Sequence, residues 1–515
     1  MNQSNRIIVN TLAQYIRTFL GLFIALYSTR VVLMQLGSSD FGLFSLVGSL
    51  LAFLSFFNTA ITRSTQRFLS YYMGKADNSY QSTVLFNSMI LNIAVSSFTA
   101  VVMLVLEPLL FSGFLNVEPD QIEVAKFLYK VMIASVFFTM NMTTFNAVFV
   151  SHENIVFSSA VYILGALLKL AAALLLAFFE SKLMMYGIFI CAISIIEFFI
   201  YAICATAKYD EVRNVFKNPK IEYKLQKALL SFSGWNLYGT LCIAGRDQGY
   251  AVVINKLISL EANAGFGVAN QVSGQLNSLV YSIANSMSPV ITRSEGEGNR
   301  EKMIRFTVSA SKISAIIYMI IAIPFVFEID YVLQIWLGTP PLFSAAFVVS
   351  ILVANLMESF SVGFRTGVQA IGKIRNYSLL FYTIKIMSIP ASILMIKMGV
   401  NPVFVLTPYM AVELIGAFIS VYFFSKYTDT SYFFYLKQVF IKLIPVFLAS
   451  VAISFLIALL IHNSIVRLFV IVIIPTITVI AVSYLIVFSE EEKTVLKGVL
   501  NRFLRKKTIE EKSVL

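Results

Sequence analysis

The chain has 515 residues, of which 58% are hydrophobic and 13% charged, with a net charge of +12 and a mean hydropathy of +0.81. That leaves too little polar surface to cover a soluble globule, which excludes a water-soluble enzyme or binding module. Strand-like alternation is absent, which excludes an outer-membrane barrel; the class that remains is an all-α polytopic membrane protein.

Apolar runs long enough to cross about 30 Å of hydrocarbon as helix predict about 14 transmembrane helices. The first, 9–33, is a retained helix rather than a cleavable signal, because it is too long, contains Arg17 and Arg30 and has no small-residue cleavage site. The second, 41–62, opens on "FGLF" and runs into "ITRS" at Ile61–Ser64. Spans at 84–106, 127–150, 155–178 and 183–207 complete a first set of six, so 1–207 reads as one lobe. The segment 208–227, within "AKYDEVRNVFKNPKIEYKLQK", reads as a basic cytoplasmic linker. A second set of six, within 228–425, lies at 228–255, 262–291, 306–327, 342–371, 377–396 and 402–425. A terminal pair, 438–461 and 467–488, makes up 426–488, and 489–515 is a charged cytoplasmic tail.

Lysine and arginine set the orientation. With the N-terminus inside, the inner segments hold 25 of them, while the outer loops hold Lys182, Lys256 and Lys397. Both ends are therefore expected in the cytoplasm, so that fusions after Tyr209 and Leu515 report inside and one after Pro119 outside. The positive charge then serves topology and anionic lipid head groups, not nucleic acid.

The two sets of six read as copies. "ITRS" recurs at Ile291–Ser294, and "FGVA" at Phe266 answers "FGLF" at Phe41. Both spans carry a polar stripe at helical spacing: Ser45, Gly48, Ser55, Asn58 and Thr62 in one, Asn270, Gly274, Asn277, Tyr281 and Ser288 in the other. A second pair matches "SSAVYILGALLKL" with "YSLLFYTIKIMSI", aligning Ser158 and Tyr162 with Ser378 and Tyr382, with Lys169 and Lys385 following one turn apart in register. An offset of an even number of spans makes these two parallel six-helix lobes plus a C-terminal helix pair.

Charges inside spans are the functional pointers, since a base at mid-membrane costs about 2.5–3.5 kcal/mol. The candidates are Arg17, Arg30, Lys169, Glu197, Arg246, Asp247, Glu358, Arg365, Lys385 and Glu413. Arg17 shares a stripe with Asn10, Gln14, Gly21 and Ser28, and Arg365 one with Asn355, Glu358 and Gln369, which implies a watery cavity. Plainer roles stand beside that one: Arg30 and Glu413 can snorkel, Arg246 can neutralise Asp247, and Glu358 can pair with Arg365. Lys169 and Lys385 have no acid on their own helices, so they are expected to line the cavity. Arg63 and Arg293, at the inner ends of the two "ITRS" spans, are either positive-inside anchors or the first contacts for an anionic head group. Lys126 and Lys130 are rim charges or anchors. Cys191, Cys204 and Cys242 lie inside spans, His152 and His462 are single loop residues, and there is no phosphate loop, so no metal, cofactor or catalytic residue is expected.

The opening "NTLAQYIRTFLGLFIALYSTRVVLMQLGSSDFGLFSLV" resembles the start of polysaccharide flippases, the O-antigen and exopolysaccharide translocases of the multidrug/oligosaccharidyl-lipid/polysaccharide exporter superfamily. Asn10, Arg17, "STRVVL" around Arg30 and "LGSSDFGLFSLV" carry the resemblance, and the helix count extends it along the chain. It implies alternating access by an inner-membrane protein that moves a polyprenyl-pyrophosphate-linked oligosaccharide outward for O-antigen, capsule or exopolysaccharide synthesis; a monomer is expected because an internal duplication supplies its own cavity without a partner. It also implies membrane-lipid partners and a coupling ion, sodium or proton. Arg17, Arg30, Arg63, Lys169, Arg246, Asp247, Arg293, Glu358, Arg365 and Lys385 are the expected substrate-binding set, and Tyr162, Tyr281 and Tyr382 are expected platforms for sugars. A cation-coupled multidrug exporter of the same superfamily is the alternative; a membrane glycosyltransferase, polymerase or acyltransferase lacks the outer-loop acids or membrane histidine it would need.

Overall fold

The computed structural model describes residues 3–52, 55–114, 121–217, 219–490 and 492–494. The side chains of Ser55 and Asn58, the loop position Pro119 and the tail from 495 to 515 lie outside the described residues. Helices follow in the order α1 (Gln3–Ala52), α2 (Ser55–Gly74), α3 (Asn78–Leu109), α4 (Ile122–Ser151), α5 (Ile155–Leu175), α6 (Lys182–Lys208), α7 (Asp210–Arg213), α8 (Tyr223–Leu257), α9 (Leu260–Gly296) and α10 (Arg300–Phe327). They continue with α11 (Ile329–Leu337), α12 (Ser344–Ser359), α13 (Val362–Ile371), α14 (Arg375–Ile386), α15 (Ser388–Lys397), α16 (Thr407–Thr428), α17 (Tyr432–Leu436), α18 (Lys442–Leu460) and α19 (Ile465–Val482). No strand occurs among the described residues, as expected where every backbone N–H must find its partner within its own segment. The protein is an all-helical, multi-pass membrane protein.

Among the described residues, ten helices are long and apolar enough to cross a membrane, or eleven if α12 and α13 form one bent span. The shortfall from fourteen falls on the second, seventh and eighth predicted spans. Their helices are present, but α8 carries Arg246 and Asp247, and α9 carries Asn263, Asn270, Gln271, Gln275 and Asn277. Polar helices of this length are tolerated where one face meets water.

Several boundaries differ from the sequence reading for identifiable reasons. Spans one and two meet at a kink of one residue, Gly37, with φ 77° and ψ 174°, a conformation open essentially to glycine, and span two is shared between α1, which ends at Ala52, and α2, which starts at Ser55. Both "ITRS" motifs lie within helices, because α2 continues to Gly74 and α9 to Gly296. Predicted span ten is bent by 47° between α12 and α13, where the hydroxyls of Ser359 and Ser361 donate to the carbonyls of Leu356 and Glu358 and compete with the helical ladder. Span eleven breaks at Met387. There Ser388 Oγ donates to Lys385 O at 2.7 Å, and Pro390 offers no N–H to the preceding turn.

The chain divides into two compact units. The first comprises Val9–Leu241 with Thr292–Asn299, and the second Met1–Ile8, Cys242–Ile291 and Arg300–Leu515; the division falls within α8 and α9. In the first unit a core of Val47, Leu128, Tyr129, Ile133 and Leu183 joins α1, α4 and α6, and Tyr129 Oη donates to Met103 O at 3.0 Å. The ends of α2 and α9 cross with their backbones in contact. A β-carbon on Gly74 would lie 2.1 Å from Arg293 O, and one on Gly296 would lie 2.0 Å from Tyr71 O. Beside this crossing, Glu153 has φ 58°. It is held there by Asn10 Nδ2 donating to its carbonyl at 2.8 Å and by Arg293 Nη1, 3.5 Å from its carboxylate.

In the second unit α18 and α19 pack on α10, and charged contacts pin them there at two levels. Arg467, in the first turn of α19, grips Glu328 just beyond α10 through Nε at 2.7 Å and Nη2 at 3.0 Å. In the first half of α10, Glu492 receives Ser309 Oγ at 2.6 Å and Lys312 Nζ at 3.2 Å. Burial pushes the Glu492 carboxyl up, but the bonds from Ser309, the Ser489 N–H and Lys312 hold it below the usual range.

Candidate functional site

The first unit holds a cavity of roughly 520 Å³ between α1, α4, α5 and α6. Arg17 stands on α1, with its guanidinium carbon 4.9 Å from the centre of the Tyr162 ring on α5. Gly21, one turn on, makes that approach possible, since a β-carbon there would come within 2.9 Å of the same ring. Lys169 lines the wall two turns further along α5 and is exposed.

Glu197 on α6 completes the charged lining. Its carboxylate lies against the backbone of α5 at Gly165, where a β-carbon would fall 1.7 Å from Oε1. Any other residue at 165 would displace the acid. Ser158 Oγ donates to Asn146 Oδ1 at 2.7 Å, and Tyr201 Oη donates to Ser158 O at 3.4 Å, which fixes the polar end of the same wall. Two bases, one acid and a half-exposed tyrosine thus face one water-accessible space, whose remaining lining is mostly apolar.

Five other expected site residues lie together in the second unit. Arg246 donates through Nε to Asp247 at 3.0 Å, through Nη1 to Glu413 at 2.5 Å and through Nη2 to Tyr409 Oη at 2.7 Å. Arg365 meets Glu358 at 2.7 Å, across the bend between α12 and α13, with its guanidinium 5.2 Å from the Tyr281 ring centre. Lys385 lies between Glu358, at 3.1 Å, and Glu413, at 2.7 Å.

This arrangement corrects three expectations. Lys385 is 1% exposed and has two acidic partners, so it does not line a cavity as Lys169 does. Its partners stand on α12 and α16, where spacing along its own helix could not reveal them. Glu413 is also 1% exposed and does not snorkel. Tyr382 is buried against Phe381, which removes it as a sugar platform, whereas Tyr162 lines the cavity.

The remaining candidates lie elsewhere. Arg30 and Arg63 are exposed and neither lines the cavity; Arg293 sits at the crossing of α2 and α9 with Glu153. Sequence reasoning missed the Arg467–Glu328 pair and Lys312. The signal available was an unmatched charge near the end of an apolar run.

No protein-family model matches the chain, and no curated protein matches it. Solved structures do. A mutant MATE superposes with a TM-score of 0.73 at 13% identity, over 83% of this chain and 97% of that one. An outward-facing multidrug resistance MATE family transporter of the MOP superfamily gives 0.67 at 15%, over 83% and 96%. A MOP superfamily transporter from Pyrococcus furiosus, whose binding pocket is described as reversed in polarity and as suggesting a different function, gives 0.70 at 14%, over 83% and 96%. At these identities the likeness shows the fold, which is that of the MATE transporters.

Proposed function

We propose that the chain is a secondary transporter working by alternating access, and that its cargo is an amphiphile with an anionic head: a polyprenyl-pyrophosphate-linked oligosaccharide moved outward across the inner membrane. The observation that carries this reading is the charge of the cavity, where Arg17 and Lys169 outnumber Glu197 beside an exposed aromatic face. Arginine offers a planar fork to phosphate oxygens and lysine a point charge, while apolar walls suit the lipid next to the head group.

In this reading the chain forms two six-helix lobes, 1–207 and 228–425, joined by the basic linker 208–227. The terminal pair and tail form an addition, in keeping with the roughly one-sixth of the chain that the solved structures leave unmatched. It works as a monomer, without enzymatic chemistry, with both ends in the cytoplasm. A reporter fused after Tyr209 is then expected to report cytoplasm, and a periplasmic signal there would reverse the orientation.

Cation-coupled multidrug export is the second reading, and the solved structures support it better than the first, since one of them is itself a multidrug resistance transporter. Glu197 would be its cation-facing acid. The two readings part on Lys169→Glu. For an anionic cargo, glycan export normalised to membrane abundance should fall about tenfold or more, the worth of one charge-assisted contact, with drug resistance unchanged. For a cationic cargo, glycan export stays normal and drug efflux holds or rises, whereas Glu197→Gln abolishes it.

A further inference from the structure

The buried charges of the second unit support an inference that does not rest on the transport reading. Three carboxylates, Asp247, Glu358 and Glu413, meet three fixed cations, Arg246, Arg365 and Lys385, so the cluster is neutral by itself. The lysine differs from the arginines in position. Each arginine takes one glutamate, whereas the Lys385 ammonium bridges both, 3.1 Å from Glu358 Oε1 and 2.7 Å from Glu413 Oε2.

The surroundings are shaped to receive it. Gly416, one turn after Glu413, leaves room for the Phe381 ring, which a β-carbon there would approach to 3.1 Å, and lies in ordinary contact with the lysine stem, at 3.8 Å from Lys385 Cε. That ring in turn lies 4.4 Å below the ammonium. A compact positive charge among two carboxylate oxygens and an aromatic face is the environment in which a small free cation would sit if the side chain were absent.

We infer that Lys385 is a tethered counter-cation: its ammonium fills a cation position between Glu358 and Glu413, so the native protein binds no free cation there, and removing the side chain opens a site for sodium or a proton. Removing it leaves one carboxylate of the cluster without a counter-charge, a state that a buried site does not tolerate. The vacancy is then filled by whatever monovalent cation can enter.

The test is the thermal midpoint of the purified full chain in sodium chloride against choline chloride at matched ionic strength. Lys385→Ala is expected to lower the midpoint in choline. Sodium should then raise it by about 2 °C more than it raises that of the wild type, the shift given by a ligand at several times its dissociation constant. Acidification from about pH 8 to about pH 6 should act in the same direction, by protonating the carboxylate left unpaired. In the double variant Lys385→Ala with Glu413→Gln one charge of each sign is gone, and the added response should vanish. The inference is overturned if Lys385→Ala responds to neither sodium nor acid, or if the double variant responds as strongly as the single one. Should Lys385→Ala fail to accumulate in the membrane, the double variant should restore its abundance, and failure to do so overturns the inference equally.

Discussion

Gly296→Val is expected to cut membrane abundance several-fold, while the same change at Gly267 leaves it near normal. At 296 the added carbons would meet backbone: Tyr71 O lies 2.0 Å from the first of them and the Gly74 Cα 3.2 Å. Backbone at a helix crossing cannot rotate away as a side chain can, so α2 and α9 must separate. Overpacking costs about 1–3 kcal/mol where side chains can yield, and more where they cannot. Gly267 has nothing within 4 Å of an added β-carbon, and valine is the better helix former there by a few tenths of a kcal/mol. Immunoblots of membranes, with thermal midpoints of whatever accumulates, check both arms. Equal abundance of the two variants would show that the helices do not meet at this crossing.

Arg365→Glu should be nearly as damaging, and for a different reason. The substitution removes one of the two cationic partners of Glu358 and adds a fourth carboxylate to a cluster left with Arg246 and Lys385. Breaking a buried pair of this kind costs about 3–5 kcal/mol, enough to deplete the protein from the membrane. The charge swap Glu358→Arg with Arg365→Glu should recover much of the loss. Sequence reasoning treats Arg365 and Lys169 alike, as members of one substrate-binding set. The ion pair at 2.7 Å separates them. Lys169 is exposed in the cavity, so only Lys169→Glu should leave abundance untouched.

The difference between those two residues marks where sequence reading stops. The all-helical class and most of the spans were legible because a bilayer imposes length and apolarity on each segment separately, and the pairs Arg246–Asp247 and Glu358–Arg365 were legible because their members share a predicted span. Arg17 with Tyr162 and Lys169 could be assigned to polar faces, but that those faces meet is a matter of packing. Lys385 is the clearest failure: periodicity describes one helix at a time, and its partners are 27 residues before it and 28 after it. The bend at 360–361 and the break at 387 were hidden for a milder reason. Serine in a transmembrane helix is common, and only the bonds it makes show whether it disturbs the ladder.

The clasp holding α19 to α10 has a consequence for how the protein is made. Glu328 waits for Arg467, 139 residues further along the chain, and Lys312 waits for Glu492, 180 residues further. At the roughly 5–20 residues per second of synthesis, each charge spends about 10–30 s beside the translocon before its mate exists. During that interval α10 carries a base in its first half and an acid just past its end, with their mates not yet made. A ribosome stalled just after α18 would therefore leave a nascent chain whose ninth span is poorly retained in the bilayer, and α19, still to emerge, is the helix that fastens it.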